Sequence, residues 1–232
     1  MHNTLSPSEI HVWHTDLSDP RHRYEELAKT LSIDERTRAG RFTFEDDQRR
    51  FVIARGVLRK LLAGYTDRPA EALQFEHNRY GKPILSKDSV NHLAAQLHFN
   101  VSHSHDVAVY VLAYSEVGID VERIRPFDDA LEIARSFFQP HESITLEGLP
   151  TAQQIPSFFQ SWARKEAYIK ALGRGLSDGL DTIDVGMGVS GMGWMPAGPD
   201  LQLHDVTIDD TCACAVAAST QIDTMMQFAY PA

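Results

Sequence analysis

Val117-Gly-Ile-Asp-Val-Glu-Arg123 is the stretch on which the fold turns. Its alternation is strict. Val117, Ile119 and Val121 share one face of a strand, and Gly118, Asp120 and Glu122 share the other. Two carboxylates side by side on one sheet face repel each other unless a proton or a cation stands between them, or water bathes that face. A second stretch weighs against water. From Gln154 to Leu172 the spacing predicts a helix whose apolar stripe carries Ile155, Phe158, Phe159, Trp162 and Ile169. Glu166 falls near the middle of that stripe. Lys165 and Lys170 lie at its edges, and Arg164 points the opposite way. A carboxylate aimed inward costs several kcal/mol unless paired or metal-bound. An i,i+4 pair between Glu166 and Lys170 offsets only ~0.2–0.5 kcal/mol of that. Three carboxylates from a strand and a helix suit a hard divalent cation such as Mg²⁺, which shares its shell with waters and phosphates. Lysines beside such an ion neutralise phosphate charge as a bond breaks.

Working outward, Ile10 to Trp13 reads as a strand and Arg21 to Leu31 as a helix. Phe44 to Tyr65 is a strong helix, with Phe51, Ala54, Leu58, Leu61, Leu62 and Tyr65 on one face. A short strand near Leu73–Glu76 precedes a turn from Asn78 to Pro83, punctuated by Gly81. Leu97 to Ser102 and Val107 to Tyr114 are β in pattern. Beyond the opening strand, Asp128 to Phe138 is helical, and Asp181 to Val185, Leu201 to Ile208, Cys212 to Ala218 and Thr224 to Ala229 are β. The class is α+β. Two similar halves, residues 1–115 and 116–232, meet near Ser115.

The chain has 232 residues, with 43% hydrophobic and 23% charged, a globular composition that excludes disordered, collagen-like and coiled-coil classes. The net charge of -10 argues against nucleic acid and against a polybasic membrane clamp. That charge is unevenly spread. Residues 21–60 hold 11 basic and 7 acidic side chains, whereas no Lys or Arg follows Arg174 and eight Asp do. A basic segment in an acidic chain suggests an anion site or a solvated helix face. Met1 to Trp13 carries no basic, apolar leader pattern, and no apolar run approaches the ~20 residues of a membrane span. Cys212 and Cys214, two apart in a strand, read as core residues of a chain in a reducing cytoplasm.

Val117-Gly-Ile-Asp-Val-Glu122 followed by Trp162-Ala-Arg-Lys-Glu-Ala-Tyr-Ile-Lys170 closely resembles the paired signatures of 4'-phosphopantetheinyl transferases. Phe99-Asn-Val-Ser-His-Ser104 and Tyr80-Gly-Lys-Pro83 resemble two further signatures of that family, in the same order. The resemblance covers roughly Tyr80 to Lys170 and is strong in combination. It implies transfer of the phosphopantetheine arm of coenzyme A to a serine of an acyl, peptidyl or polyketide carrier protein, with release of 3',5'-ADP. It implies Mg²⁺ held by Asp120, Glu122 and Glu166. Glu166 is the first candidate for general base, with Glu122 or a metal-bound water as alternatives. Lys170 stabilises the pyrophosphate and Lys165 supports it. Ser102 and His103 contact the coenzyme's phosphates, and the main chain near Lys82 meets the adenine. For the 3'-phosphate the candidates are Arg36, Arg38, Arg41 and Arg50. Glu35 sits among them where some relatives carry a basic residue, and Ala163 replaces a small hydroxyl residue. The length is similar to the longer, surfactin-synthetase-activating type, a cytoplasmic monomer of two halves. Two other readings stay open: a non-catalytic module binding coenzyme A or a carrier protein, and a zinc hydrolase using His103 and His105, with His98.

Overall fold

The computed structural model describes residues 4–91, 94–175, 179–187, 195–196 and 200–232. They form two compact units. One holds Met1–Tyr114 together with Thr224–Ala232, and the other Ser115–Asp223. The division after Tyr114 is followed by a return that the linear reading did not contain. The final segment leaves the second half and joins the first. The cause is a sheet edge. Strand β1 (Glu9–Asp16) accepts the last strand, β10 (Thr224–Ala229), in parallel register from Glu9↔Thr224 to His14↔Ala229. Trp13 stacks on Phe228 with ring centroids 4.6 Å apart. An unpaired edge would expose the backbone beside the fully buried Ile10 and Val12.

In the first unit, α1 (Tyr24–Thr30), α2 (Ile33–Ala39) and α3 (Glu45–Thr66) follow β1. Strands β2 (Phe75–His77) and β3 (Pro83–Leu85) make a small hairpin, and β4 (His98–Ser104) and β5 (Val107–Ala113) a larger one. The main sheet has the order β10-β1-β5-β4. Ile53, Val57, Leu58 and Leu62 of α3 are buried in one cluster with Ala108, Tyr110 and Leu112 of β5. The Tyr110 hydroxyl donates to the Ala54 carbonyl at 3.0 Å. Helix α2, absent from the linear reading, is set by a capping box. Ser32 accepts from the Glu35 amide, and Glu35 accepts from the Ser32 amide.

The second unit runs β6 (Val117–Arg123), α4 (Ala130–Phe137), α5 (Pro140–Gly148), α6 (Thr151–Ala171), β7 (Met195–Pro196), β8 (Leu201–Asp205) and β9 (Cys212–Ser219). The sheet is antiparallel, in the order β6-β9-β8-β7. Helix α6 lies directly on β6, and one residue decides how closely. A Cβ built on Gly118 would stand 2.2 Å from the Ala167 carbonyl oxygen and 2.3 Å from the Ala171 amide nitrogen. Ala163, Ala167 and Ala171 recur every fourth residue of the helix and are fully buried. Ala213, Ala215 and Ala217 of β9 pair with Glu122, Asp120 and Gly118. Small side chains on helix and neighbouring strand thus let backbone meet backbone. The face that carries Asp120 is therefore the helix-covered face, not a solvated one, and Asp120 is 2% exposed. Asp181 to Val185, read as a strand, is instead a short 3-10 turn, Leu180–Thr182, and a loop. Its carbonyls are taken by a side chain described below.

Candidate functional site

Strand β6 and helix α6 bring Asp120, Glu166 and Lys170 together. Lys170 Nζ lies 2.5 Å from Asp120 Oδ1 and 3.4 Å from Glu166 Oε2. The Trp162 indole donates to Glu166 Oε1 at 2.9 Å, one helical turn away, and so fixes that carboxylate. This explains the tryptophan in the signature, a role that sequence spacing alone did not assign. Burial raises the Asp120 carboxyl to about 7; Lys170 opposes that shift, while Glu166 and Glu122 reinforce it. Burial also works against the Lys170 ammonium, but Asp120 and Glu166 outweigh it and hold the lysine above its ordinary value. Acid and base are shifted the same way for different reasons: burial raises the acid, and the carboxylates around it raise the base. Among the described residues, no group of three His, Cys, Asp or Glu side chains stands close enough to hold a metal ion as placed. The Lys170 ammonium contacts both Asp120 and Glu166.

Lys165 has other partners than those expected of it. It is fully buried and pairs with Glu142 Oε2 of α5 at 2.6 Å. It also donates to the Leu180 carbonyl at 3.0 Å and to that of Ile183. Glu142 is itself fully buried and accepts from the Val185 amide at 2.9 Å and the Gln139 amide at 3.0 Å. Burial lowers the Lys165 ammonium against the opposing pull of Glu142. The pair joins α5, α6 and the 180–186 loop. Its neighbour Arg164 binds Asp205 of β8 through two contacts, at 2.8 and 2.6 Å. Two successive positions of the signature thus clamp α6 to its surroundings.

The first unit holds a cleft of about 750 Å³. Of the basic residues proposed for an anion, Arg38 and Arg50 line it, as does His103. Arg36 and Arg41 are exposed and do not, and neither do Lys82 and Ser102, although Gly81 and Pro83 on either side of Lys82 do. Asn78 Oδ1 accepts from the Lys82 amide at 3.0 Å and shapes that turn. Arg38 stands over the Phe51 ring, 5.2 Å from its centroid. Arg50 is held by Asp106 at 2.7 Å and by Asp47 at 3.2 Å. Glu35, the acid among the arginines, is buried and bridges Arg55 and Arg59, the latter at 2.6 Å. Burial opposes its ionised form, yet the Arg59 hydrogen bond and the charge of Arg55 hold it below the usual carboxylate range. His77 and His105 also line the cleft, and no sequence signature pointed to His77. No helix among the described residues is long and apolar enough to cross a membrane.

Two family models divide the chain between them. Residues 17–115 match "4'-phosphopantetheinyl transferase, N-terminal", and residues 116–207 match "4'-phosphopantetheinyl transferase superfamily". The 4'-phosphopantetheinyl transferase HetI of a Nostoc species is 37% identical over 93% of this chain and 90% of its own. The 4'-phosphopantetheinyl transferase gsp of Aneurinibacillus migulanus is 35% identical over 67% of this chain and 62% of its own. The 4'-phosphopantetheinyl transferase Sfp of Bacillus subtilis is 29% identical over 69% and 68%.

Proposed function

The chain belongs to the 4'-phosphopantetheinyl transferase superfamily as a two-part enzyme of that name, and we propose that it moves the phosphopantetheine arm of coenzyme A onto a serine of an apo carrier protein. The serine oxygen forms a bond to the β-phosphorus of the coenzyme's pyrophosphate. The bond to the oxygen of the leaving 3',5'-ADP breaks, and the serine proton passes to Glu166. One observation carries this reading: strand β6 and helix α6 bring Asp120 and Glu166 onto one ammonium, with Lys170 Nζ 2.5 Å from Asp120 Oδ1 and 3.4 Å from Glu166 Oε2.

Chemistry of the donor set fits Mg²⁺. Three carboxylates with an excess of negative charge are what a hard dication satisfies, and Asp120, Glu122 and Glu166 would hold it. When bound, the ion supplies Lewis-acid polarisation of the phosphoryl oxygens. The chain's own residues do the rest. Trp162 occupies Glu166 Oε1, which leaves Oε2, on the Lys170 side, to take the proton. Lys170 offers its ammonium to the charge that develops on the leaving pyrophosphate oxygens. Lys165 acts at one remove: paired with Glu142, it positions the helix that carries both. In the first unit, Arg38, Arg50 and His103 face the coenzyme's phosphates, with the main chain at Gly81 to Pro83 beside the adenine. We assign the enzyme to the cytoplasm as a monomer. The test is direct. The protein is mixed with a fluorescent coenzyme A, several apo carrier proteins and Mg²⁺. Mg²⁺-dependent labelling of a carrier serine is expected, and binding of coenzyme A with no labelling of any carrier would reduce the chain to a binding module.

A further inference from the structure

The reacting groups of the second unit stand on two separate elements. Asp120 and Glu122 belong to β6, and Glu166 and Lys170 to α6. The Lys170 ammonium reaches 2.5 Å across the crossing to Asp120 and 3.4 Å along its own helix to Glu166. Whatever fixes the height of α6 above β6 therefore fixes how far Glu166 stands from Asp120.

Gly118 occupies that point. It lies two residues before Asp120, on the same strand face. A Cβ there would meet backbone on every side: the Ala167 carbonyl oxygen at 2.2 Å, the Ala171 amide nitrogen at 2.3 Å and the Lys170 carbonyl carbon at 2.8 Å. None of these is a side chain that could turn away. Ala167 follows Glu166 and Ala171 follows Lys170, so the point of contact and the reacting groups share one stretch of main chain. Conformation does not explain the glycine, because Gly118 is not among the glycines with a positive φ. Only space excludes a side chain. Glycine weakens a strand interior and marks a close backbone approach. The neighbouring strand is built to match: Ala217 pairs with Gly118 and is buried in one cluster with Ala163, Ala167 and Ala171.

We infer that Gly118 is a positioning residue for the reaction, its missing side chain setting the spacing at which Asp120 of the strand and Glu166 of the helix act on one cation. This rests on the function proposed above, with Mg²⁺ held by Asp120, Glu122 and Glu166. A methyl group at Gly118 reaches ordinary contact with the Ala167 oxygen only if helix and strand part by about 1 Å or more. Asp120 and Glu122 then stay together on β6, while Glu166 and Lys170 leave with α6. A misplacement of about 1 Å at reacting groups is enough to cost on the order of 10²-fold in rate.

Mn²⁺ in place of Mg²⁺ gives a readout apart from turnover. The bound ion is titrated by electron paramagnetic resonance on the full chain with coenzyme A and no carrier. Gly118→Ala should weaken Mn²⁺ about tenfold and lower kcat for carrier labelling about 10²-fold, with little change in the KM for coenzyme A. Ala217→Val lifts the helix from the next strand, against side-chain methyls, and should show the same effects in smaller measure. Where Gly118→Ala does not fold, Ala217→Val decides. Leu62→Ala opens a cavity in the core of the first unit and should lower the melting temperature while leaving Mn²⁺ affinity and kcat as they are. If Ala217→Val, or a folded Gly118→Ala, melts lower yet binds Mn²⁺ and turns over like wild type, glycine serves packing alone and the inference is overturned. A wild type that binds no Mn²⁺ overturns it too, and carrier labelling then shows whether the transferase reading survives. A wild type that binds Mn²⁺ and labels no carrier overturns the transferase reading instead, and weakened Mn²⁺ in the variants still supports the spacing role.

Discussion

Glu35 of the first unit and Asp120 of the second are both buried carboxylates, 5% and 2% exposed, and they meet opposite ratios of charge. Glu35 has two guanidiniums, Arg55 and Arg59, and the Ser32 amide at 2.9 Å. Arg59 disposes of further protons on the Ala70 and Leu73 carbonyls at 2.8 and 3.0 Å. Asp120 shares one ammonium with Glu166 and feels Glu122 besides. The consequence is a carboxyl held low in one unit and raised to about 7 in the other. Burial pushes both carboxyls up, and the surrounding charge decides the outcome: two guanidiniums overcome it at Glu35, whereas at Asp120 the Lys170 ammonium is opposed by Glu166 and Glu122.

Substitution at the two carboxylates should therefore strike different properties. Asp120→Ala and Glu166→Gln should each reduce turnover by about 10²–10⁴-fold, the scale of a lost general base or electrostatic contact, while circular dichroism and melting show a folded protein. Near-normal turnover in either would erase the distinction. Glu35→Gln is expected to act on stability. It leaves Arg59, 1% exposed, and the largely buried Arg55 without their counter-charge. Breaking a buried pair from one side costs roughly 3–5 kcal/mol, read from denaturant unfolding. A stable Glu35→Gln protein would mean that the first unit's network is as open as the second's.

The pH dependence of stability sharpens the contrast, because a carboxyl that binds its proton differently in the folded and unfolded chain makes stability depend on pH. Asp120 binds its proton more tightly folded than unfolded. Its contribution is complete below its unfolded value of 3.8 and is lost as the pH rises toward 7. Glu35 is held lower when folded, so its contribution is present above its unfolded value of 4.5 and disappears in acid. Without Mg²⁺, unfolding free energy should decline from about pH 4 to 7. Asp120→Asn should remove that decline, and added Mg²⁺ should oppose it. Glu35→Gln should instead flatten the acid limb. An unchanged slope in Asp120→Asn would show that the carboxyl is ionised throughout.

Much of the second unit was legible because its signals are local. Alternation in β6 puts Asp120 and Glu122 on one strand face, and helical spacing in α6 puts Glu166 within the apolar stripe. The same periodicity could not say how near strand and helix come. That follows from Gly118 against Ala167 and Ala171, a contact between residues distant in sequence. Glu35 looked like a departure within a basic segment, because its partners Arg55 and Arg59 lie on another helix. Ser32-Ile-Asp-Glu35 nevertheless carried a readable capping box, and α2 was missed by following apolar spacing instead. The return of β10 to β1 had no local signal, since strand propensity does not name a partner.

Helix α6 holds the closest comparison, Lys165 against Lys170. They stand five residues apart in one signature, yet Lys165 has one carboxylate and two carbonyls around it and Lys170 has two carboxylates. If Lys165 only positions the helix, its charge is dispensable as long as its volume and its partner's are treated together. Lys165→Met alone leaves Glu142 buried with amide donors but no cation, and should destabilise the protein clearly. Glu142→Leu with Lys165→Met removes both charges and keeps an apolar filling. Replacement of a whole buried pair is often neutral, so the double variant should lie within about 1 kcal/mol of wild type. Its turnover should fall by less than about tenfold, because no group that touches the reacting atoms is lost. Lys170→Met should show the reverse: little change in melting and a large loss of turnover. A double variant that folds as well as wild type but loses turnover like Lys170→Met would put the Lys165 ammonium on the pyrophosphate, and charge ratio would then fail as a guide to which buried lysine does the chemistry.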